Sequence, residues 1–184
     1  LNIETKNPDL NLLPILETDH IRGRSDALLT MVEFGDYECP DCGRAYWDIL
    51  KIEEIFGNSF RFVFRHYAYA KIHPYAELAA QAAEAAAAQG KFWEMHDLLF
   101  RNQSAFKMAD LKARAGALCL DMPLFERDLK SEKYLDVVRA DFKSGVQSGV
   151  FGTPGIFING IRVNGSTDFD TLRSALERAA EVAA

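Results

Sequence analysis

The order of strand and helix signals predicts an α/β domain assembled from both ends of the chain, with an all-helical insertion between them. Two observations carry that expectation. Toward the N-terminal side, two β-type runs flank one amphipathic helical segment, and toward the C-terminal side a hairpin signal is followed by a further helix. Residues 74–149, between these two groups, read as helices alone. The chain has 184 residues, 48% of them hydrophobic and 13 of them Phe, which is enough apolar material for one sizeable core. The expected division is an arm over 1–24, the α/β domain over 25–73 and 150–184, and the insertion over 74–149.

Taken in order, residues 1–24 carry scattered apolar positions with Pro8 and Pro14, which suits an extended arm holding at most an edge strand. The run 28–34 (Leu-Leu-Thr-Met-Val-Glu-Phe) is a buried strand ending at Gly35-Asp36, and Glu33 is out of place in it. Cys39-Pro40-Asp41-Cys42 opens a helix expected to run to Phe56 and stop at Gly57-Asn58. Pro40 fits the first turn, where an N–H has no helical partner to lose. Cys42, Ala45, Ile49, Ile52 and Phe56 fall on one face, so Cys42 should point to the core while Cys39 occupies the exposed tip. Residues 60–65 read as a second strand.

The insertion is expected to be mostly polar-faced, with helices over 75–89, 92–100, 108–118, 123–129 and 132–146. Gly155-Ile156-Phe157-Ile158 and Ile161-Arg162-Val163 then flank Asn159-Gly160, the strongest short-range hairpin signal. A closing helix over 168–180 follows, with Thr167 or Asp168 as its cap.

The net charge of −6, from 21 basic and 27 acidic residues, disfavours nucleic acid as a partner. No apolar stretch approaches the roughly 20 residues of a membrane span. No leader can be read, and since a removed one would leave the same chain, cytoplasm and periplasm both stay open. Three cysteines are an odd number for a disulfide framework, and two of them lie three positions apart.

A Cys-x-x-Cys at a helix start has a physical use. The free N–H groups and the positive end of the helix stabilise a thiolate at Cys39, and Cys42 lies one turn away to resolve a mixed disulfide. The alternatives are a metal knuckle or two structural thiols. A structural zinc site wants four ligands, whereas Cys119 stands alone and His66, His73 and His96 lack paired spacing. Glu33, six positions before Cys39, could accept the proton that Cys42 must lose, or it could be an edge-strand carboxylate facing water. Pro154, in Gly152-Thr153-Pro154-Gly155, suits a cis bond or an ordinary loop.

Residues 33–42, the helical block, and residues 152–160 together resemble bacterial DsbA-like oxidoreductases, from about Asp19 onward and in the expected order. The resemblance implies a thioredoxin fold interrupted by a helical domain. It implies Cys39 as nucleophile, Cys42 as resolving thiol, Glu33 as the buried acid, and Thr153-Pro154 as a cis-proline loop facing the sulfurs. That loop, with Pro40 and Asp41, would meet an extended substrate peptide by backbone pairing. Strongly oxidising members carry histidine where this chain has Asp41. Asp41, with Asp36 and Glu38 nearby, should therefore disfavour the Cys39 thiolate and make the disulfide less oxidising.

Cys119, in an apolar helical stretch, is expected as a buried, inert thiol. His73 and His96 are expected to serve packing or the surface, and Asn102-Gln103-Ser104 matches nothing beyond a glycosylation pattern. The resulting expectation is a monomeric DsbA-like oxidase exchanging disulfides with protein cysteines and an unidentified redox partner. No metal and no organic cofactor is expected. Rivals are a reductase or isomerase, a peptide-binding module, and a glutathione-conjugating relative, the last two having no need of Cys42.

Overall fold

A computed structural model describes residues 12–183; the arm reading over 1–11 lies outside them. Five strands and seven α-helices follow in chain order. β1 (His20–Gly23) and β2 (Leu29–Gly35) precede α1 (Pro40–Phe56) and β3 (Phe60–His66). Next come α2 (Ala76–Ala87), α3 (Phe92–Arg101), α4 (Met108–Ala117), α5 (Met122–Lys130) and α6 (Leu135–Gln147). The hairpin β4 (Gly155–Ile158) and β5 (Ile161–Arg162) leads to α7 (Phe169–Ala183).

The sheet runs β1-β3-β2-β4-β5, with β2 and β3 parallel and the other pairs antiparallel. α1 provides the crossover that a parallel pair requires. β2 is therefore the central strand, buried at every position. Strand alternation sends Leu29 and Met31 into the core shared with α1 and α7, and Val32 and Phe34 to the opposite face with Val63 and Phe157. Glu33 has the parity of Met31, so its position belongs to the α1 side. Cys42, Ala45, Ile49 and Ile52 are the buried stripe of α1, as their spacing predicts, with Phe56 packed at its margin.

Several expectations need correction. α2 is not polar-faced: nine of its residues are buried, from Ala76 to Ala86, because it lies between the sheet edge and α3, α5 and α6. The helix expected from 132 begins at Leu135, because Glu132 adopts φ 52° in the turn that closes α5. Cys119 is exposed, because α4 ends at Ala117 and the next turn holds Cys119 at φ 56°. His96 does pack, 1% exposed, with its Nδ1 3.1 Å from the Tyr37 hydroxyl. Asp168 is the cap of α7, its carboxylate accepting from Thr171 N at 2.9 Å. The arm is held by Arg65, whose guanidinium donates to Asp19 and to the carbonyls of Leu13 and Pro14. Among the described residues no helix is long and apolar enough to cross a membrane.

Candidate active site

The chain leaves the central strand at Gly35 and enters α1 at Pro40, so four residues set the position of the dithiol. Asp36, 1% exposed, folds this connection around its own carboxylate. Its Oδ1 accepts from Glu38 N at 2.9 Å, and its Oδ2 accepts from Tyr69 N at 3.0 Å and faces His73 Nδ1 at 2.8 Å. Cys39 is the N-cap residue of α1 in extended backbone, and its side chain makes no capping hydrogen bond. The first-turn N–H groups thus remain without a capping side chain beside the sulfurs.

A second brace arrives from the connection between α3 and α4. The Gln103 amide donates to Tyr37 O at 2.9 Å and to Cys39 O at 2.7 Å. It lies across Gly43, where any side chain would collide with the amide. Sequence reading missed this pair: Gln103 stood only in a glycosylation pattern, and nothing local links it to a helix sixty positions earlier.

Cys42 is fully buried and accepts a hydrogen bond from Asp36 N at 3.4 Å. Cys39 does not sit at an exposed tip. It is 6% exposed, because the loop before β4 folds over it and brings Thr153 O within 3.5 Å of its Sγ. The Thr153–Pro154 peptide is cis. Thr153 and Pro154 line a cleft of about 380 Å³ with Asp41, Arg44, Asp48 and Asp168. Asp41 and Pro40 are both exposed. Asp41 forms an ion pair with Arg44, so its charge is directed along the helix surface toward a cation.

The two thiols differ in acidity. A hydrogen bond from the Cys42 thiol, opposed by burial and helped by Thr153, brings Cys39 down to about 6. Cys39 is thus lowered overall even though Asp36 works against its thiolate, and Asp41 pairs with Arg44 at the surface. Burial first, and the hydrogen bond to Cys39 second, push the Cys42 thiol well above its ordinary range.

Glu33 is 1% exposed and pairs by register with Phe64 on β3 and Ile156 on β4, so it is no edge residue facing water. Among the described residues its Oε1 has no hydrogen-bond partner. Burial, then the charge of Cys39, raise its pKa to about 8, with the Cys42 thiol pulling the other way. The carboxyl group therefore carries a proton at neutral pH directly beside the less acidic sulfur. The structure thus brings Glu33, Cys39, Cys42, Thr153 and Pro154 together, with Asp41 lining the adjoining cleft and Pro40 exposed next to it in the first turn of α1.

The chain is similar to known proteins in sequence and in fold. The family model described as Thioredoxin matches residues 16–178. The Na(+)/H(+) antiporter NhaA 1 of Salinispora arenicola is 42% identical over 163 residues, covering 89% of this chain and 25% of that protein. The chain thus spans about a quarter of the length of the curated relatives it matches. Oxidised BdbD from Bacillus subtilis superposes with a TM-score of 0.83 at 25% identity, over 95% of this chain and 100% of that one. The thiol-disulfide exchange protein alpha-DsbA2 of Wolbachia pipientis gives a TM-score of 0.76 at 21% identity, over 88% and 87% of the two chains. From its matched span, its interrupted sheet and these neighbours, the chain belongs to the thioredoxin family, among its DsbA-like members.

Proposed function

We propose that the protein exchanges disulfides with protein cysteines through Cys39 and Cys42, in the oxidising direction. The observation that carries this reading is the unequal pair on the first turn of α1, one thiol lowered to about 6 and the other raised well above the ordinary range.

In that direction a substrate thiolate attacks Sγ of Cys39 in the Cys39–Cys42 disulfide. The S–S bond breaks, a mixed disulfide forms, and the electron pair leaves on Cys42. Cys42 is a poor thiolate, and the protonated Glu33 carboxyl beside it supplies the proton it needs. A second substrate thiolate then attacks the substrate sulfur and expels Cys39, whose low pKa makes it a good leaving group. Two electrons have passed to the dithiol, and a disulfide-bearing redox partner must remove them. Reduction of a substrate is the same path reversed, with Glu33 taking the proton from Cys42. The backbone at the cis Thr153–Pro154 bond is where an extended substrate strand would pair beside Cys39, with Asp41 and Pro40 as further contacts. No cofactor enters these steps.

Refolding of a reduced substrate, insulin reduction and the potential of the pair test this together. Cys39→Ser should abolish both activities, and Cys42→Ser should accumulate mixed disulfides. Alkylation that labels Cys42 ahead of Cys39 at neutral pH would overturn the assignment. The relatives named as antiporters favour one variant of this reading, in which the target cysteines belong to a membrane transporter. The mixed disulfides captured by Cys42→Ser would show which proteins are met.

A further inference from the structure

A second cluster of chemistry-bearing groups lies at the other edge of β3, and the exchange reaction does not use it. His20 Nε2 is 2.6 Å and His66 Nε2 is 2.8 Å from the same oxygen, Oε1 of Glu84. The three groups come from β1, β3 and α2, with His66 and Glu84 buried and His20 half-buried. Their donor atoms all lie within 4.8 Å of one another. Phe92 holds both rings in place, stacked on His20 at 3.4 Å between centroids and edge-on to His66 at 6.0 Å. His20 and Glu84 also line a cavity of about 420 Å³, together with Asp19 and Asp141. Asp141 Oδ2 accepts from the backbone N of His66 at 2.9 Å.

We propose that His20, His66 and Glu84 bind a divalent transition ion of the zinc class, which fastens the edge of the sheet to the first helix of the insertion. Two imidazole nitrogens and one carboxylate oxygen are the donors such an ion takes. Calcium and magnesium want six or more oxygens, which this trio does not offer. Donors on a tetrahedral zinc lie roughly 3.3 Å apart, so the observed separations of 2.6 and 2.8 Å must open by about 0.7 and about 0.5 Å. The half-buried His20 has room to do so. A fourth ligand would be water, admitted through the cavity that His20 and Glu84 line. None of the residues lining that cavity lines the dithiol cleft. A sequence search for paired ligand spacing does not find this trio, because its members lie 64 and 18 positions apart.

The dithiol is itself a metal-binding candidate, so the test must silence it. The protein is oxidised at Cys39–Cys42, carries Cys119→Ser, and is titrated with Co²⁺ and then Zn²⁺. The expected result is one equivalent of Co²⁺ with visible bands of nitrogen and oxygen ligation, no thiolate charge-transfer band, displacement by Zn²⁺, and a raised melting temperature. His20→Phe keeps the stack on Phe92 and removes a donor; it should weaken Zn²⁺ binding at least about tenfold while circular dichroism stays unchanged. Glu84→Gln should remove binding, and if that variant does not fold, His20→Phe alone decides. No uptake, uptake unchanged in His20→Phe, or Ca²⁺ competing on equal terms would overturn the proposal, leaving the trio a hydrogen-bonded cluster only.

Discussion

Two buried carboxylates stand on either side of β3, and they have opposite fates. Glu33, on the central strand, has an oxygen without a partner among the described residues, and burial lifts its pKa to about 8. Glu84, on α2, is almost as deeply buried, yet hydrogen bonds from His20 and His66 overcome the burial and bring it down to about 2. Burial alone therefore does not decide what a carboxylate does in this fold; the number of donors aimed at it does. An acid left short of donors holds a transferable proton, which is what a site beside a poor thiolate can use. An acid saturated with donors is a fixed anion, suited to tying elements together.

The largest destabilisation expected from breaking this contrast is at Glu84. In chelator-treated buffer, Glu84→Leu should cost roughly 2–4 kcal/mol in urea unfolding, because two imidazoles lose their shared acceptor in a buried setting. A loss below half a kcal/mol would mean that the trio does not hold α2 to the sheet.

Glu33 should respond with the opposite sign. The unfolded chain ionises Glu33 near 4.5, whereas the folded chain keeps the proton up to about 8. The stability this group allows is complete below pH 4.5 and falls as pH rises through 8. Glu33→Gln escapes that loss, so it should be more stable than the parent by roughly 4 kcal/mol near pH 8 and nearly indistinguishable at pH 4.5. The same variant should slow exchange, since Cys42 loses its proton partner. Unfolding at the two pH values and stopped-flow exchange read both effects, and a variant both faster and less stable would break the comparison.

A third expectation sharpens the thiol side. Cys39 in the reduced protein should gain reactivity toward iodoacetamide with a midpoint near pH 6, as its pKa indicates. Because its folded pKa lies below the ordinary thiol value of 9.0, the thiolate's stabilisation of the reduced protein is complete above pH 9 and is lost as pH falls through about 6. A labelling midpoint above pH 8 would remove the asymmetry on which the exchange reading rests.

The smallest effect belongs to Asp41→His. The change should make the disulfide more oxidising, but by less than about 30 mV, a tenfold step for a two-electron couple. Asp41 is already engaged by Arg44 at the surface. A shift well beyond that, measured against a glutathione series, would show that the pair with Arg44 leaves much of the Asp41 charge at the sulfur.

Much of the architecture was legible because periodicity is a local property. The stripe Cys42, Ala45, Ile49, Ile52 repeats at helical spacing, and it is the buried face of α1. Asn159-Gly160 marked the hairpin, and the positive φ values of both residues, 46° and 84°, are what that dipeptide supplies at low cost. The errors came where a local reading had to guess an environment. Ala-rich α2 looked like a helix with a wet face, yet packing on several sides buries it. Cys119 looked like core, yet one left-handed residue turns the chain and leaves it outside.

What the sequence determined by itself is the strand–helix order, the helix-tip dithiol with one sulfur on the core face, and the oddity of a glutamate in an apolar strand. Tertiary structure alone decided that Glu33 lies on the central strand without a full set of donors, and that Gln103 braces the backbone of Cys39. It alone brought His20 and His66 to a single oxygen of Glu84. The physical reason is the same in each case. A helix or strand is specified by neighbours a few positions away, whereas the acidity of a buried group is set by donors and charges that reach it from distant parts of the chain.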